Sequence, residues 1–285
     1  MRKILNKMLA LALCFVVALP AVNVKADSTQ KYLALGANLS ASEKKKVLDL
    51  LGVNSEDDYQ VIKVTNAEEH EYLGSYLSKS VIGTRALSSV TVEQTGDGEG
   101  VNVSTENITY CTSGMYRNAL VTAGIENADV KVAGPFNISG TAALVGVMKA
   151  YEEMTGKEIP EKSKDAATDE LITTGEVAEN IGSEDAEKLI ADVKQKVAED
   201  NLTSAEDIKN AIEESAKDLN INLSDEDRQK IQSLMDKISD LNLNVDQLKE
   251  QAKAIYDKLG GSDGIFDKIS KWFQSIADWF SNLFN

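Results

Sequence analysis

Residues 89–107 read SVTVEQTGDGEGVNVSTEN. Val90 and Val92, then Val101 and Val103, stand at alternate positions among β-branched and polar neighbours, a period-2 pattern that strands have and helices lack. Gly96, Gly98 and Gly100 lie between the two runs and supply positive φ at little cost, so the stretch predicts strands over 89–95 and 101–107 joined as a hairpin. The same alternation recurs outward, in YQVIKVT (59–65) and in ADVKVA (128–133). Gly134-Pro135 after the latter predicts a turn.

Helical signals sit between these strands. Ser40 and Glu43 form a capping box ahead of Val47, Leu48, Leu50 and Leu51, and Gly52 closes that helix. Asn66 is expected to cap a second helix to about Leu77, residues 112–121 predict a third ending at Gly124, and Ser139 is expected to open a fourth through about Met154. Strands and helices that interleave in this way predict an α+β or α/β fold for residues 27–156, with a largely covered sheet.

The pattern changes after Gly156. Residues 157–167 (KEIPEKSKDAA) are polar, contain Pro160 and lack periodicity, which predicts a linker. From Thr168 onward there is no proline, and apolar residues recur at helical spacing: Leu189, Ile190, Val193, Val197; Ile208, Ala211, Ile212; Ile231, Leu234, Met235, Ile238; Val245, Leu248, Ala252. Ser183, Thr203 with Glu206, and Ser224 with Asp227 mark helix starts. Residues 168–259 are therefore expected to be all-helical, 260–264 (GGSDG) a glycine-rich hinge, and 265–285 a separate amphipathic helix.

Residues 1–26 have the composition of a secretory signal peptide. Arg2, Lys3 and Lys7 charge the start, residues 8–19 are uninterrupted apolar, and Val24-Lys25-Ala26 offers a cleavage site. The apolar run is shorter than the roughly 20 residues a membrane span needs. The chain carries 30 basic and 46 acidic side chains, for a net charge of −16. Removal of the leader takes four basic residues and no acidic ones, leaving 26 against 46, a net of −20. Such acidity disfavours nucleic acid, which is bound through Lys and Arg. Cys14 leaves with the leader, so Cys111 has no partner for a disulfide and is expected to be a buried core residue.

The residue types of catalysis are scarce. His70, the one histidine, excludes sites that need several, including the HExxH zinc arrangement. It sits in Glu68-Glu69-His70-Glu71, expected to be a solvent-exposed helix face rather than a metal patch. No G-x-S-x-G elbow, Walker loop, dinucleotide fingerprint or EF-hand spacing occurs. No cofactor and no metal are expected. A pair of carboxylates remains available for hydrolysis, since acids are abundant. The densest polar, small-residue stretch is 109–141, where Ser139, Gly140 and Thr141 at a helix start would present free N–H groups to an anion, with Arg117 a candidate companion. Plain N-capping by Ser139 is the competing reading there.

That stretch carries a family resemblance. Residues 116–125 (YRNALVTAGI), 128–130 (ADV), 134–144 (GPFNISGTAAL) and 149–152 (KAYE) resemble the YpuA-like family, domain of unknown function 1002, over roughly Tyr32 to Leu259. The resemblance implies an exported protein of a Gram-positive cell envelope and supplies no catalytic residues.

The most unusual composition lies at the C-terminus. Four of the six phenylalanines and both tryptophans fall in the last twenty residues. At 100° per residue, Ile265, Phe266, Ile269, Trp272, Phe273, Ile276, Trp279, Phe280, Leu283 and Phe284 share one face of a helix. Burying a large aromatic is worth about 1.5–3 kcal/mol, so such a face requires a partner surface. Its own chain, a membrane interface and a protein groove all remain open. The polar face, with Lys268 and Lys271 offset by Asp267 and Asp278, gives little attraction to anionic lipid. The sequence thus predicts an exported, non-enzymatic binding or structural protein with a surface- or partner-seeking tail. The rival is an envelope hydrolase using paired carboxylates near 109–141.

Overall fold

The computed structural model describes residues 31–258. The leader (1–26), the glycine-rich hinge and the aromatic helix of 265–285 lie outside the described residues. Five strands, β1 (Lys31–Gly36), β2 (Gln60–Val64), β3 (Ser89–Gln94), β4 (Val101–Ile108) and β5 (Ala128–Ile138), form one mixed sheet in the order β2-β1-β3-β5-β4. β1 runs parallel to β2 and antiparallel to β3, while β5 runs antiparallel to β3 and parallel to β4. Ten helices accompany the sheet among the described residues, which makes the fold α+β: α1 (Ala41–Leu51), α2 (Asn66–Leu73), α3 (Lys79–Ile82), α4 (Ser113–Thr122), α5 (Thr141–Thr155), α6 (Glu161–Ile181), α7 (Ser183–Glu199), α8 (Ala205–Asp218), α9 (Asp225–Ser239) and α10 (Val245–Lys258).

Strand alternation sends successive residues of β1 into different cores. Tyr32 and Ala34 join the main core with Val64, Val90, Val92 and the buried face of α5, whereas Leu33 and Leu35 pack beneath α1 against Val47, Leu51 and Ala133. α5 lies close on the sheet because Gly146 has no side chain. A Cβ there would stand 2.9 Å from the Ala34 Cβ and 3.1 Å from Val90 Cγ1. α4 packs between β4 and α6, and a second core joins α6, α7, α8 and α9 through Val177, Leu189, Ile190, Val193, Ile212 and Leu234.

Several expectations need correction. β3 and β4 do not form a hairpin, because β5 lies between them. β3 is buried through Ser89, Val90, Thr91 and Val92 and so takes a neighbour on each side, while β4 exposes Asn102 and Ser104 as an edge strand does. Gly134-Pro135 does not turn the chain; both lie within β5. The missing N–H of Pro135 costs little there, since pairing with β3 ends at Ala133 and pairing with β4 skips from Glu106 to Ile108 across a bulge. Asn107 makes that bulge, with φ 59° and its amide donating to the Gly134 carbonyl at 3.0 Å. Thr65, not Asn66, caps α2, through a capping box with Glu68. Likewise Ser204, not Thr203, caps α8 and accepts from the Asp207 N–H.

The segment 157–167 is not a linker along its whole length. α6 begins at Glu161, and its first turns are structural: Ala166 joins the helical core, and Ala167, with Leu171 and Ile172, the core of the sheet. Pro160 fits at the boundary because the first turn of a helix needs no donor from it.

Candidate functional site

A cleft of about 450 Å³ opens where α2, α3 and the loop to β3 face the ends of β4 and β5 and the start of α5. Its floor is the start of α5. Gly140, at φ 100°, turns the chain into the helix, and a Cβ on it would stand 2.7 Å from Ile108 Cγ2 and 2.8 Å from the Tyr116 hydroxyl. Backbone conformation and lack of room both require glycine there. The Tyr116 hydroxyl donates to the Gly140 carbonyl, and the Cys111 N–H donates to the Ser139 carbonyl at 3.0 Å.

Ser139 does not cap α5. Its hydroxyl meets the Thr141 hydroxyl at 3.2 Å, while the N–H of Ala143 is taken by Ser88 Oγ at 2.9 Å, from across the cleft wall. A carboxyl of the protein itself stands beside this helix end, held by side chains. Thr141 Oγ1 donates to Glu69 Oε1 at 2.8 Å, and Asn66 Nδ2 donates to Glu69 Oε2 at 3.0 Å. Glu69 is 1% exposed. Burial pushes its carboxyl above the ordinary range despite these two hydrogen bonds. Among the described residues lining the cleft it is the one carboxylate, so no pair of acids converges there.

The wall opposite is the 83–88 loop, fixed by three anchors. His70 Nε2 lies 3.1 Å from the Gly83 carbonyl; the Asn38 side-chain oxygen accepts from the Ala86 N–H; and Arg85 donates to the Asn38 carbonyl and to Glu43, each at 2.8 Å. The charge of Arg85 is thereby committed to Glu43. Phe136 forms part of the rim and is 47% exposed. His70 is half-buried and Glu69 buried, so the 68–71 run is not a free surface; Glu68 pairs with Lys149.

Arg117 is not part of the cleft. It is buried beside β4, its Nε donating to the Val101 carbonyl at 3.0 Å. Cys111 is buried, and desolvation raises its thiol to about 12, as a structural cysteine requires. The tail residues Phe266, Ile269, Trp272, Phe273, Ile276, Trp279, Phe280, Leu283 and Phe284 lie outside the described residues.

A second polar cluster lies wholly inside the protein. Lys194 of α7 and Glu170 of α6 form an ion pair at 2.7 Å with both side chains 0% exposed. Lys194 Nζ also donates to the Asn118 carbonyl at 2.9 Å and to Thr122 Oγ1 at 3.1 Å, and the Thr122 hydroxyl donates to Glu170. Burial pulls the lysine down and pushes the glutamate up. With neither side chain exposed, the pair fastens α4 to α6 and α7. Among the described residues no group of three or more His, Cys, Asp or Glu side chains is placed to hold a metal, and no helix is long and apolar enough to cross a membrane.

Comparison with known proteins gives two matches of one kind. The model of the family described as "Protein of unknown function (DUF1002)" matches residues 35–255. A protein of Bacillus subtilis (strain 168), described as "Uncharacterized protein YpuA", is 38% identical over 286 residues, covering 100% of this chain and 98% of the relative. No solved structure matches the chain.

Proposed function

This chain belongs to the DUF1002 family, and from that premise we propose that it is an exported cell-envelope binding module that takes a small ligand in the cleft at the start of α5. Export rests on the leader-like composition of residues 1–26. Binding rather than catalysis rests on what lines the cleft. Hydroxyls, apolar side chains, the ion-paired Arg85 and one carboxyl face it among the described residues, without a second acid, a histidine or a cysteine to complete an acid-base or nucleophilic set. The aromatic tail of 265–285 then serves to hold the module at a surface or on a partner.

The observation that carries this reading is Glu69. A carboxyl taken out of water costs stability unless it is compensated, and here it is held on the wall of an open cleft. Placing it there serves recognition better than it serves the fold. The reading is tested by following the backbone amides of Gly83, Gly140 and Thr141 by NMR while small amines, polyols and phosphate are added to the leader-free protein. Saturable shifts confined to these amides and their neighbours are expected with at least one probe. Their absence with every probe overturns the cleft as a binding site. For the tail, deleting residues 264–285 is expected to move the protein from the cell pellet to the medium; an unchanged partition removes the surface-holding role.

A further inference from the structure

The class of ligand follows from how charge is distributed around the cleft. Each Glu69 oxygen accepts one hydrogen bond, from Asn66 or from Thr141, and a carboxylate oxygen has room for two. The side chain therefore has acceptor capacity left over. Among the described residues no lysine or arginine pairs with it: His70 acts on it as a neighbouring charge but points its Nε2 at the Gly83 carbonyl, and Arg85, the one strongly basic residue lining the cleft, is bound to Glu43 and to the Asn38 carbonyl. The other polar side chains around the wall, such as Ser88, Thr109 and Ser139, are hydroxyls.

An anionic ligand is disfavoured, because a carboxyl already stands beside the start of α5 and the Ala143 N–H there is taken by Ser88. A neutral ligand would leave the buried carboxyl uncompensated. A ligand cation would both fill the empty acceptor positions and supply the missing charge, at a site of low dielectric where such a pair is strong. Phe136 adds a second feature of the same kind. Its ring is exposed on the rim, and an aromatic face attracts ammonium groups more than hydroxyls. Val81, Leu87 and Ile138 offer apolar wall for a short alkyl stem.

We propose that the cleft selects organic ammonium ligands, with Glu69 as the counter-ion to a primary amine whose alkyl stem lies against Phe136 and the apolar wall. This inference rests on the cleft being a binding site and goes further by naming the chemistry it takes. Each Glu69 oxygen keeps one acceptor position, which a compact ammonium with three donors can fill.

The test compares n-butylamine with n-butanol, which share a stem and differ in charge, and adds inorganic phosphate as the anion. Binding is read by NMR from the cleft amides of the leader-free protein. The amine is expected to bind about tenfold or more tightly than the alcohol, and phosphate is expected to leave the cleft amides unmoved. Glu69→Gln should lose about tenfold of the amine affinity and leave the alcohol unchanged. Phe136→Ala, at an exposed position on the rim, should weaken the amine about two- to fivefold in protein whose circular dichroism matches the parent. Alcohol binding as tight as amine, or amine affinity unaltered in both variants, overturns the ammonium assignment while the cleft remains a binding site. Silence of the cleft amides toward all three probes overturns both.

Discussion

Lys194→Met isolates what the buried ion pair does for the fold. The substitution keeps the length and apolar stem of the side chain but removes three donated hydrogen bonds, to Glu170, Asn118 and Thr122. Glu170 is left with no exposure and no cation. Removing one partner from such a pair costs about 3–5 kcal/mol, which for a chain of this size lowers the Tm by on the order of 10 °C. The double variant Lys194→Met with Glu170→Leu removes the stranded charge as well. It strands only the Thr122 hydroxyl, at about 1 kcal/mol, and so should recover much of the loss. The single variant also acquires a pH signature. Without Lys194, the folded-state pKa of Glu170 stands further above its unfolded value, so the stability this group contributes is fully present below the unfolded value and is lost as pH rises through the folded one. The deficit of Lys194→Met relative to the parent should therefore be smallest in acid and grow toward neutrality. Urea unfolding followed by far-UV circular dichroism, at several pH values, measures all of this. A neutral-pH deficit below about 1 kcal/mol, or a double variant as unstable as the single one, would refute the account of the pair as a fastening between α4 and the helical core.

Three further outcomes are expected. Gly140→Ala combines φ 100° with Cβ contacts under 3 Å and should cost about 1–3 kcal/mol in the same unfolding assay; a neutral result would mean that the α5 entry can relax. Cys111, buried and raised to about 12, should resist iodoacetamide in the native protein and react once urea unfolds it, as read by peptide mass spectrometry; rapid native labelling would contradict its burial. Glu43 is lowered to about 2, first by the Ser40 backbone N–H and hydroxyl and then by Arg85. Its contribution is present above the unfolded value and lost as pH falls toward 2, so the stability difference between the parent and Glu43→Gln should shrink over that interval; a difference independent of pH would show that the charge is not what the cap uses.

Local signals in the sequence located the elements better than their partners. The capping box of Ser40 and Glu43, the alternation in β2, β3 and β4, and the helical stripes of α7 to α9 each depend on neighbours within a few residues, and each is present in the fold. Strand order depends on pairing between distant segments. No residue near Gly96 states that β5, more than thirty positions later, will lie between β3 and β4. The linker reading of 157–167 failed for a related reason, since Ala166 and Ala167 are small enough to leave no periodic signature and yet fill a helix junction.

The cleft was half legible. Ser139, Gly140 and Thr141 read in the sequence as a helix start with polar character, but the group facing them comes from α2. One signal existed. Glu69 stands four residues before Leu73, so the two share a helix face, and Leu73 is buried. Lys194 gave a similar signal, lying four residues after Ile190 and three before Val197 on an otherwise apolar stripe. A charged residue at a core position points inward when its neighbours at helical spacing do, and its counter-charge can lie anywhere in the chain.

The interleaved strand order also sets the sequence of assembly. β3 and β4 are consecutive in the chain but have no bonds to exchange, so neither can mature as a hairpin while the protein is being made. β3 can first dock on β1, and this intermediate presents a β-branched open edge until residues 128–138 arrive to close it. The long-range closure makes folding slow relative to a meander of the same size, and the exposed edge is where one nascent chain would pair with another. Substitutions in β5 should for that reason alter yield and aggregation during synthesis more than their effect on the finished fold suggests.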